Sequence, residues 1–174
     1  DPVNPVFLAR VPTASVQSLW RDVKVYDNHA FIVSEAAGHG MQVVDLSGIP
    51  EITLGPIELT PVSMYLGFGN AHNIAINEAS GFAYGLGTNT AGGGLHAVDI
   101  SNPSSPAVAG INNGPYTHDA QIVMYEGPDP DHAGQEVAFC FNGSAGVAIV
   151  DVSNKMDMTE ISSFTYSESA YTHQ

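Results

Sequence analysis

Four pairs of adjacent polar residues recur along the chain about 50 residues apart, and histidine is the first member of three of them. Uncharged imidazoles from separate segments can bind a divalent metal ion, and a neighbouring carboxylate can join or orient them. The same side chains could instead bind an anion or a small polar ligand, or only hydrogen-bond the backbone of an adjacent repeat. The pairs are Arg21-Asp22, His72-Asn73, His118-Asp119 and His173-Gln174.

An acidic loop over 126–136 contains the other candidate metal ligands. Asp129 and Asp131, together with Glu126 and Glu136, supply carboxylate oxygens of the kind that bind Ca²⁺. The loop lacks the ligand spacing of a helix-flanked calcium loop, and a solvated turn fixed by its two prolines is the alternative interpretation. We expect this loop to lie on the face opposite the histidines.

The chain has no sequence pattern typical of a nucleophilic enzyme. It lacks a Gly-x-Ser-x-Gly elbow, and its single cysteine, Cys140, lies in the apolar run VAFCF, where the role of a small buried hydrophobe is expected. A metal-assisted hydrolase or lyase would have only Asp22 and Asp119 as obvious general bases. The sequence therefore favours a binding module or a structural scaffold over an enzyme.

The charge balance disfavours two classes of partner. The 174 residues include 4 basic and 18 acidic side chains, which gives a formal net charge of −14. Such a surface repels phosphate backbones and anionic lipid, so we expect neither nucleic acid nor a membrane surface as a partner. No run of the sequence approaches the roughly 18 apolar residues that insertion into a bilayer needs.

The elements that must position these side chains are indicated by a motif that occurs three times. The pattern Gly-x-x-x-Val-Asp-x-Ser covers 40–47, 94–101 and 146–153, and its aspartates are Asp45, Asp99 and Asp151. These aspartates are 54 and 52 residues apart, and a period of this size indicates a repeat architecture. Aspartate followed by x-Ser favours a turn, in which the carboxylate accepts a nearby backbone N–H, so the motif is predicted to end a strand.

Each motif is the third of four short runs rich in valine, isoleucine and phenylalanine, and glycine, asparagine, proline and serine separate the runs. This composition, without helical periodicity, predicts an all-β fold. Four-stranded units at this period are typical of β-propeller blades. The predicted blades cover 20–61, 70–111 and 116–166. The fourth strand of the first blade is expected within 51–59, and Asp27-Asn28 is a predicted hairpin turn.

The two ends of the chain are predicted to belong to further blades. Residues 1–12 resemble the stretch after Asp99 and are assigned to the outer strand of a preceding blade, and residues 171–174 match the lead-in to the third blade and are assigned to the start of a following one. Three blades would leave apolar sheet faces and edges open. We therefore expect either the rest of a longer chain or a homo-oligomer, most simply two three-blade halves, to close the ring.

The propeller arrangement predicts where the polar pairs meet. The first strand of each blade lines the central channel and starts at one mouth of it, so the side chains that begin these strands should converge there. The loops between second and third strands should emerge at the same face. The residues predicted to converge are Arg21, His72, His118 and His173 with their polar neighbours. His39, Asn89, Thr90 and Asn142 could rim the mouth, although the favoured interpretation of these loops is that their glycines only permit tight turns.

The motifs VVDLS, AVDIS and IVDVS resemble the LVIVD repeat. The run YEGPDPDHAGQEVAFCFNGSAGVAIVDVSNK, followed by AYTHQ, resembles the bacterial choice-of-anchor B proteins, which are secreted or surface-attached propeller proteins. The resemblance implies export, a β-propeller and attachment to the cell surface, with a cell-surface protein or a small ligand as partner. It supplies no catalytic residues, and it leaves a divalent metal ion as the one cofactor that the residues themselves suggest.

Overall fold

The protein is built from short β-strands. The computed structural model describes residues 3–168 and 170–173. Two 3₁₀ helices, Ile49–Glu51 and Ala91–Gly93, interrupt the strands, and no helix in the described part of the chain has the length and apolarity that crossing a membrane requires. The strands are β1 (Ala9–Arg10), β2 (Arg21–Tyr26), β3 (His29–Ser34), β4 (Met41–Asp45), β5 (Ile57–Glu58), β6 (Ser63–Tyr65), β7 (Asn73–Asn77), β8 (Phe82–Leu86), β9 (His96–Asp99), β10 (Ala107–Ile111), β11 (Asp119–Met124), β12 (Glu136–Phe141), β13 (Val147–Asp151) and β14 (Thr159–Phe164).

Most of these strands form three four-stranded antiparallel sheets, which we call the first, second and third blades. Their strand orders are β2-β3-β4-β6, β7-β8-β9-β10 and β11-β12-β13-β14. The first strands lie side by side, since β7 contacts both β2 and β11. Successive meanders joined in this way are the arrangement of propeller blades, and the predicted all-β, propeller-type fold is confirmed. Within residues 3–168 and 170–173 the three blades do not close a ring.

The repeated Val-Asp motif ends the third strand of each blade, as predicted. In each copy the aspartate Oδ1 accepts the backbone N–H of the serine two residues later, at 2.8 Å for Asp45 and 2.9 Å for both Asp99 and Asp151. This bond turns the chain out of the sheet. The predicted hairpin is also present, because Asp27 and Asn28 connect β2 to β3 with positive φ angles, as a tight type I′ turn requires.

The fourth strand of the first blade lies outside its predicted place. A blade strand over 51–59 is wrong, because only β5 forms there and it pairs in parallel with β1. Gly55-Pro56 accounts for the difference, since proline has no N–H to donate to a ladder and glycine weakens a strand. The blade is completed by β6, which pairs with β4. The predicted blade boundaries and the assignment of 1–12 to a preceding blade stay predictions.

Neighbouring blades pack through two cores of different composition. The first interface, between the first and second blades, buries the aromatic rings of Phe31, Tyr65 and Phe68 among aliphatic side chains. The second interface, between the second and third blades, is built largely from alanine and valine around Tyr84. Removing these apolar surfaces from water holds the blades together. The buried alanines of the second interface are Ala75, Ala97, Ala120, Ala138 and Ala148.

A buried ion pair within the third blade lies at the second interface, at the end away from the channel mouth. Lys155 Nζ donates to Glu136 Oε2 at 2.8 Å, and both side chains are at least nine-tenths buried. The other carboxylate oxygen accepts from Ser80 Oγ at 2.9 Å and from Tyr84 Oη at 3.0 Å. The ammonium also lies 4.2 Å from the centre of the Phe82 ring. This network ties the second blade to the third.

Candidate ligand site at the channel mouth

Backbone groups at the start of each first strand join neighbouring blades. The residue just before each of the three histidines donates its N–H to a carbonyl oxygen of the preceding blade. Each joint therefore contains a main-chain bond in which the adjacent imidazole takes no part. The donor and acceptor pairs are Ala71 with Ser34 at 2.9 Å, Thr117 with Gly93 at 3.0 Å and Thr172 with Gly143 at 2.9 Å.

The three histidines lie in a row at the channel mouth. The ring centres of His72 and His118 are 4.2 Å apart and those of His118 and His173 are 4.4 Å apart, with ring planes inclined by 45° and 55°. All three line one cavity of about 510 Å³. We call Glu35, which also lines this cavity, and the three histidines the histidine mouth. The convergence expected from the repeat spacing is observed, and the ligand and metal roles of these residues stay predictions.

His72 is held by a carboxylate from the preceding blade. Its Nδ1 lies 2.6 Å from Oε1 of Glu35, and both side chains are partly buried. Glutamate can only accept, so Nδ1 carries the shared proton and Nε2 is the nitrogen left for a ligand. A carboxylate that fixes the orientation and tautomer of an imidazole in this way is a common feature of sites in which histidine binds a ligand or a metal ion.

His118 lies at the centre of the row and has no such partner. The residue is 9% exposed, and its Nδ1 is buried without a hydrogen-bond partner in the described part of the chain. A buried lone pair is easier to leave unpaired than a buried N–H, so the proton of the uncharged ring belongs on Nε2. The pKa of His118 is lowered, mainly by burial of the ring and to a smaller extent by the charges of His72 and His173. The negative charges of Asp119 and Glu35 act in the opposite direction. The ring therefore presents an uncharged donor near neutral pH.

Arg21 and Asn73 line the same cavity, as predicted. The guanidinium of Arg21 is already engaged, because its NH1 lies 3.1 Å from His39 Nε2 and its NH2 donates to Thr13 Oγ1 at 2.8 Å. The bond to His39 uses the imidazole as an acceptor, since arginine can only donate. Arg21 thus contributes a fixed positive charge beside the histidine mouth.

The two predicted acidic members do not line the mouth cavity. Asp22 Oδ2 accepts from Lys24 Nζ at 2.6 Å and from the N–H of Ile74, in the second blade, at 3.2 Å. Asp119 Oδ1 accepts the N–H of Ala120 at 2.8 Å. Both carboxylates thus accept backbone N–H groups at the start of a strand, and the predicted ligand roles of Asp22 and Asp119 stay predictions.

The four loop residues that could rim the mouth are absent from the lining of its cavity. His39 is buried, and the other three make contacts elsewhere. Asn89 Oδ1 accepts the N–H of Gly69 at 2.8 Å, and Thr90 Oγ1 lies 2.9 Å from His96 Nδ1. Asn142 is buried between the second and third blades.

Sequence reasoning missed Glu35 and the aromatic wall formed by Trp20, Tyr116 and Tyr171. The two tyrosines had a signal, because each begins a Tyr-Thr-His repeat. Tyr171 meets the His118 ring edge-on with ring centres 5.1 Å apart. A side chain at Gly87, where φ is +57°, would place its Cβ 2.9 Å from Tyr116 Oη, so glycine makes room for the ring.

Metal ligation is not preformed in the described part of the chain. No group of three or more histidine, cysteine, aspartate or glutamate side chains in residues 3–168 and 170–173 is arranged to hold a metal ion. Asp129 and Asp131 are exposed between β11 and β12, and Asp129 Oδ1 accepts the N–H of Asp131 at 3.1 Å. Glu136 was a wrong calcium candidate, because it is buried against Lys155. The metal roles of the histidines, Asp129 and Asp131 stay predictions.

The sheet order and the converging first strands define the class of this chain, which is a β-propeller repeat module. The family model of the LVIVD repeat matches residues 20–54, 68–113 and 139–166, which together are more than half of the chain. The chain therefore belongs to the LVIVD repeat family, as its Val-Asp motifs indicated. No curated protein and no solved structure matches it.

Proposed function

We propose that this repeat module is an extracytoplasmic binding module and that the histidine mouth is its ligand site. The observation that carries the proposal is the division of labour at the start of each first strand. Main-chain N–H groups join the blades, and the central imidazole, His118, keeps a buried nitrogen without a partner. A side chain that takes no part in these main-chain bonds and is nine-tenths buried beside a cavity is suited to a ligand.

The ligand that fits best is a small uncharged polar molecule rich in hydroxyl groups. His118 offers an N–H donor, His72 offers Nε2, and Glu35 adds carboxylate oxygen. Trp20, Tyr116 and Tyr171 give the same cavity apolar walls against which the carbon skeleton of such a ligand can pack. An anion is disfavoured by the net charge of −14.

A divalent metal ion is the second candidate. It is favoured by the 2.6 Å contact between Glu35 and His72, which would orient the ring with Nε2 toward the metal. His173 could supply a further ligand, and His118 could supply another once the proton on its Nε2 has moved to Nδ1. In this case protons would compete with the metal, so binding would weaken as the pH falls through the histidine range.

Titration of the protein with glucose, mannitol and Zn²⁺ tests both candidates, with calorimetry as the measurement. The His72→Ala/His118→Ala double variant should lose saturable binding of whichever probe the parent binds. The His132→Ala variant is the matched control, because His132 lies in the loop between β11 and β12 and contacts Gln135, and it should bind as the parent does. Binding by the double variant equal to that of the parent would overturn the site, and no binding of any probe by the parent would leave the scaffold interpretation.

The extracytoplasmic location is part of the same proposal. It is supported by the resemblance of the motifs to those of surface-attached propeller proteins. Treatment of intact native cells with a protease that cannot enter them is the test. We expect the module to be cleaved or released, whereas a cytoplasmic marker protein stays intact. Protection of the module until the cells are lysed would contradict the location without affecting the ligand site.

A further inference from the structure

A cavity of about 300 Å³ lies at the second interface, and none of the residues that line the histidine-mouth cavity lines it. Leu95, Cys140, Ala148 and Val150 form its apolar floor, and all four are buried. Burial raises the pKa of the Cys140 thiol to about 12, so this group is an uncharged part of the lining. The cavity is large enough for a small ring with a short side chain.

The first interface shows why this space is hollow. Gly85 and His96 are cross-strand neighbours in the second blade, and Cys140 and Ala148 are the corresponding pair in the third. Phe68, in the segment that leads into β7, packs over Gly85 and His96 with its ring centre 5.2 Å from that of the imidazole. The segment that leads into β11 instead contains Asn112-Asn113-Gly114-Pro115, so no ring covers the alanine and the cysteine.

One polar group of the cavity is an acceptor without a partner in the described part of the chain. Asn142 lines it and is 6% exposed, and its Oδ1 is buried with no hydrogen-bond partner among the residues described. A buried acceptor of this kind calls for an N–H or O–H donor. Glu160, which is exposed, lines the same cavity and adds a negative charge at its rim. Thr117, which also lines the cavity, has its own hydroxyl proton committed to Pro115 O at 3.3 Å.

We propose that this cavity, the amine cavity, is a second binding site, for a small aromatic amine. The ring of the ligand takes the space that Phe68 and His96 fill at the first interface. Its ammonium group donates to Asn142 Oδ1 and is neutralised by the Glu160 carboxylate. The net charge of −14 attracts such a cation to the protein. This site is separate from the histidine mouth, and the proposal stands whether or not the mouth binds a ligand.

Titration of the 174-residue chain with phenethylamine tests the proposal. We expect saturable binding by calorimetry and a shift of the Ala148 methyl resonance. Two probes divide the ligand: butylamine carries the ammonium without the ring, and phenethyl alcohol carries the ring without the charge. Each should bind at least about tenfold more weakly, since each loses either the apolar contact or a charge-assisted hydrogen bond.

Variants locate the site. Ala148→Leu fills the cavity and should abolish phenethylamine binding. Glu160→Gln is an exposed change that leaves the core untouched, and it should weaken binding of the amine while leaving phenethyl alcohol unaffected. His72→Ala alters only the histidine mouth and should bind phenethylamine as the parent does. No saturable binding by the parent, or equal binding by the parent and both cavity variants, would overturn the amine cavity, and loss of binding in His72→Ala would relocate the amine to the mouth.

Discussion

At the first interface the Phe68 ring covers the Gly85 and His96 pair of the second blade, whereas at the second interface the corresponding space over Cys140 and Ala148 is the amine cavity. Tyr65 completes the filled interface, with its hydroxyl oxygen 2.7 Å from His96 Nε2. The same backbone joint serves both places. Blade packing in this protein therefore does not require one particular set of core side chains.

The second interface is stabilised by a different kind of interaction. Its opposite end contains the ion pair of Glu136 and Lys155, whose carboxylate also accepts from two hydroxyl groups of the second blade. Burying an ion pair requires both charges to lose their hydration. Once the pair has formed, removing one partner leaves the other charge buried without compensation, which strongly destabilises the protein. The comparison shows that the first interface depends on the packing of aromatic rings and that the second depends on a charge network. The cavity that could hold a ligand lies at the second interface.

The Glu136→Ala variant tests the charge network and should have the largest effect. It leaves the Tyr84 hydroxyl buried without this acceptor and the buried Lys155 ammonium without its counter-charge, so we expect the free energy of unfolding to fall by about 5 kcal/mol. Urea unfolding followed by circular dichroism measures it. The matched control is Glu58→Ala, which removes the exposed partner of Arg10 and should cost at most about 1 kcal/mol. Equal losses in the two variants would show that the network adds nothing to the interface.

The Phe68→Ala variant tests the filled interface. The ring is 2% exposed, and removing it should lower the free energy of unfolding by about 3 kcal/mol, near the lower end for such changes because the surrounding loop can relax. The variant would also open, beside Gly85 and His96, a space like the amine cavity. A change of less than about 1 kcal/mol in the same urea measurement would mean that the ring is not what closes this interface.

The buried imidazole of the filled interface gives a pH-dependent effect, which is the smallest of the three over a change of one pH unit. Burial lowers the pKa of His96 from its ordinary value of 6.5 to about 4. As the pH falls, His96 of the unfolded chain is protonated at a higher pH than His96 of the folded protein. The contribution of the uncharged His96 to stability is therefore complete above pH 6.5 and is lost as the pH falls toward 4. Between these values the parent should lose up to about 1.4 kcal/mol per pH unit more than the His96→Gln variant. Parallel pH profiles of the two urea midpoints would contradict this.

The fold was predictable because its signal is repeated. Three copies of the Val-Asp motif predicted the blades and the turn at Asp45, Asp99 and Asp151, and the structure has both. The error at 51–59 arose where the first repeat departs from the others, since Gly55-Pro56 breaks the strand and β6 replaces it. The second and third repeats have no segment equivalent to the one between Asp45 and β6, so their pattern could not predict where the fourth strand of the first blade lies.

The site was predictable only in part, for a physical reason. The positions of His72, His118 and His173 follow from repeat spacing alone, and their rings do meet. The direction of a short polar side chain depends on which backbone N–H is nearest to it, and this is why Asp22 turned toward Ile74 instead of the mouth. Glu35 was missed because it belongs to a loop whose length and sequence differ in every repeat.

The main-chain bonds made by Ala71, Thr117 and Thr172 have a consequence for how such repeats diversify. An amide hydrogen is the same in every residue except proline, so the coupling between units survives replacement of the side chain beside it. Each unit can therefore exchange its mouth residue independently, as Arg21 in one unit and histidine in the next three already illustrate. The residues at the mouth can therefore be replaced one at a time while the main-chain bonds between blades stay the same, and the ligand specificity of the mouth can change with each substitution.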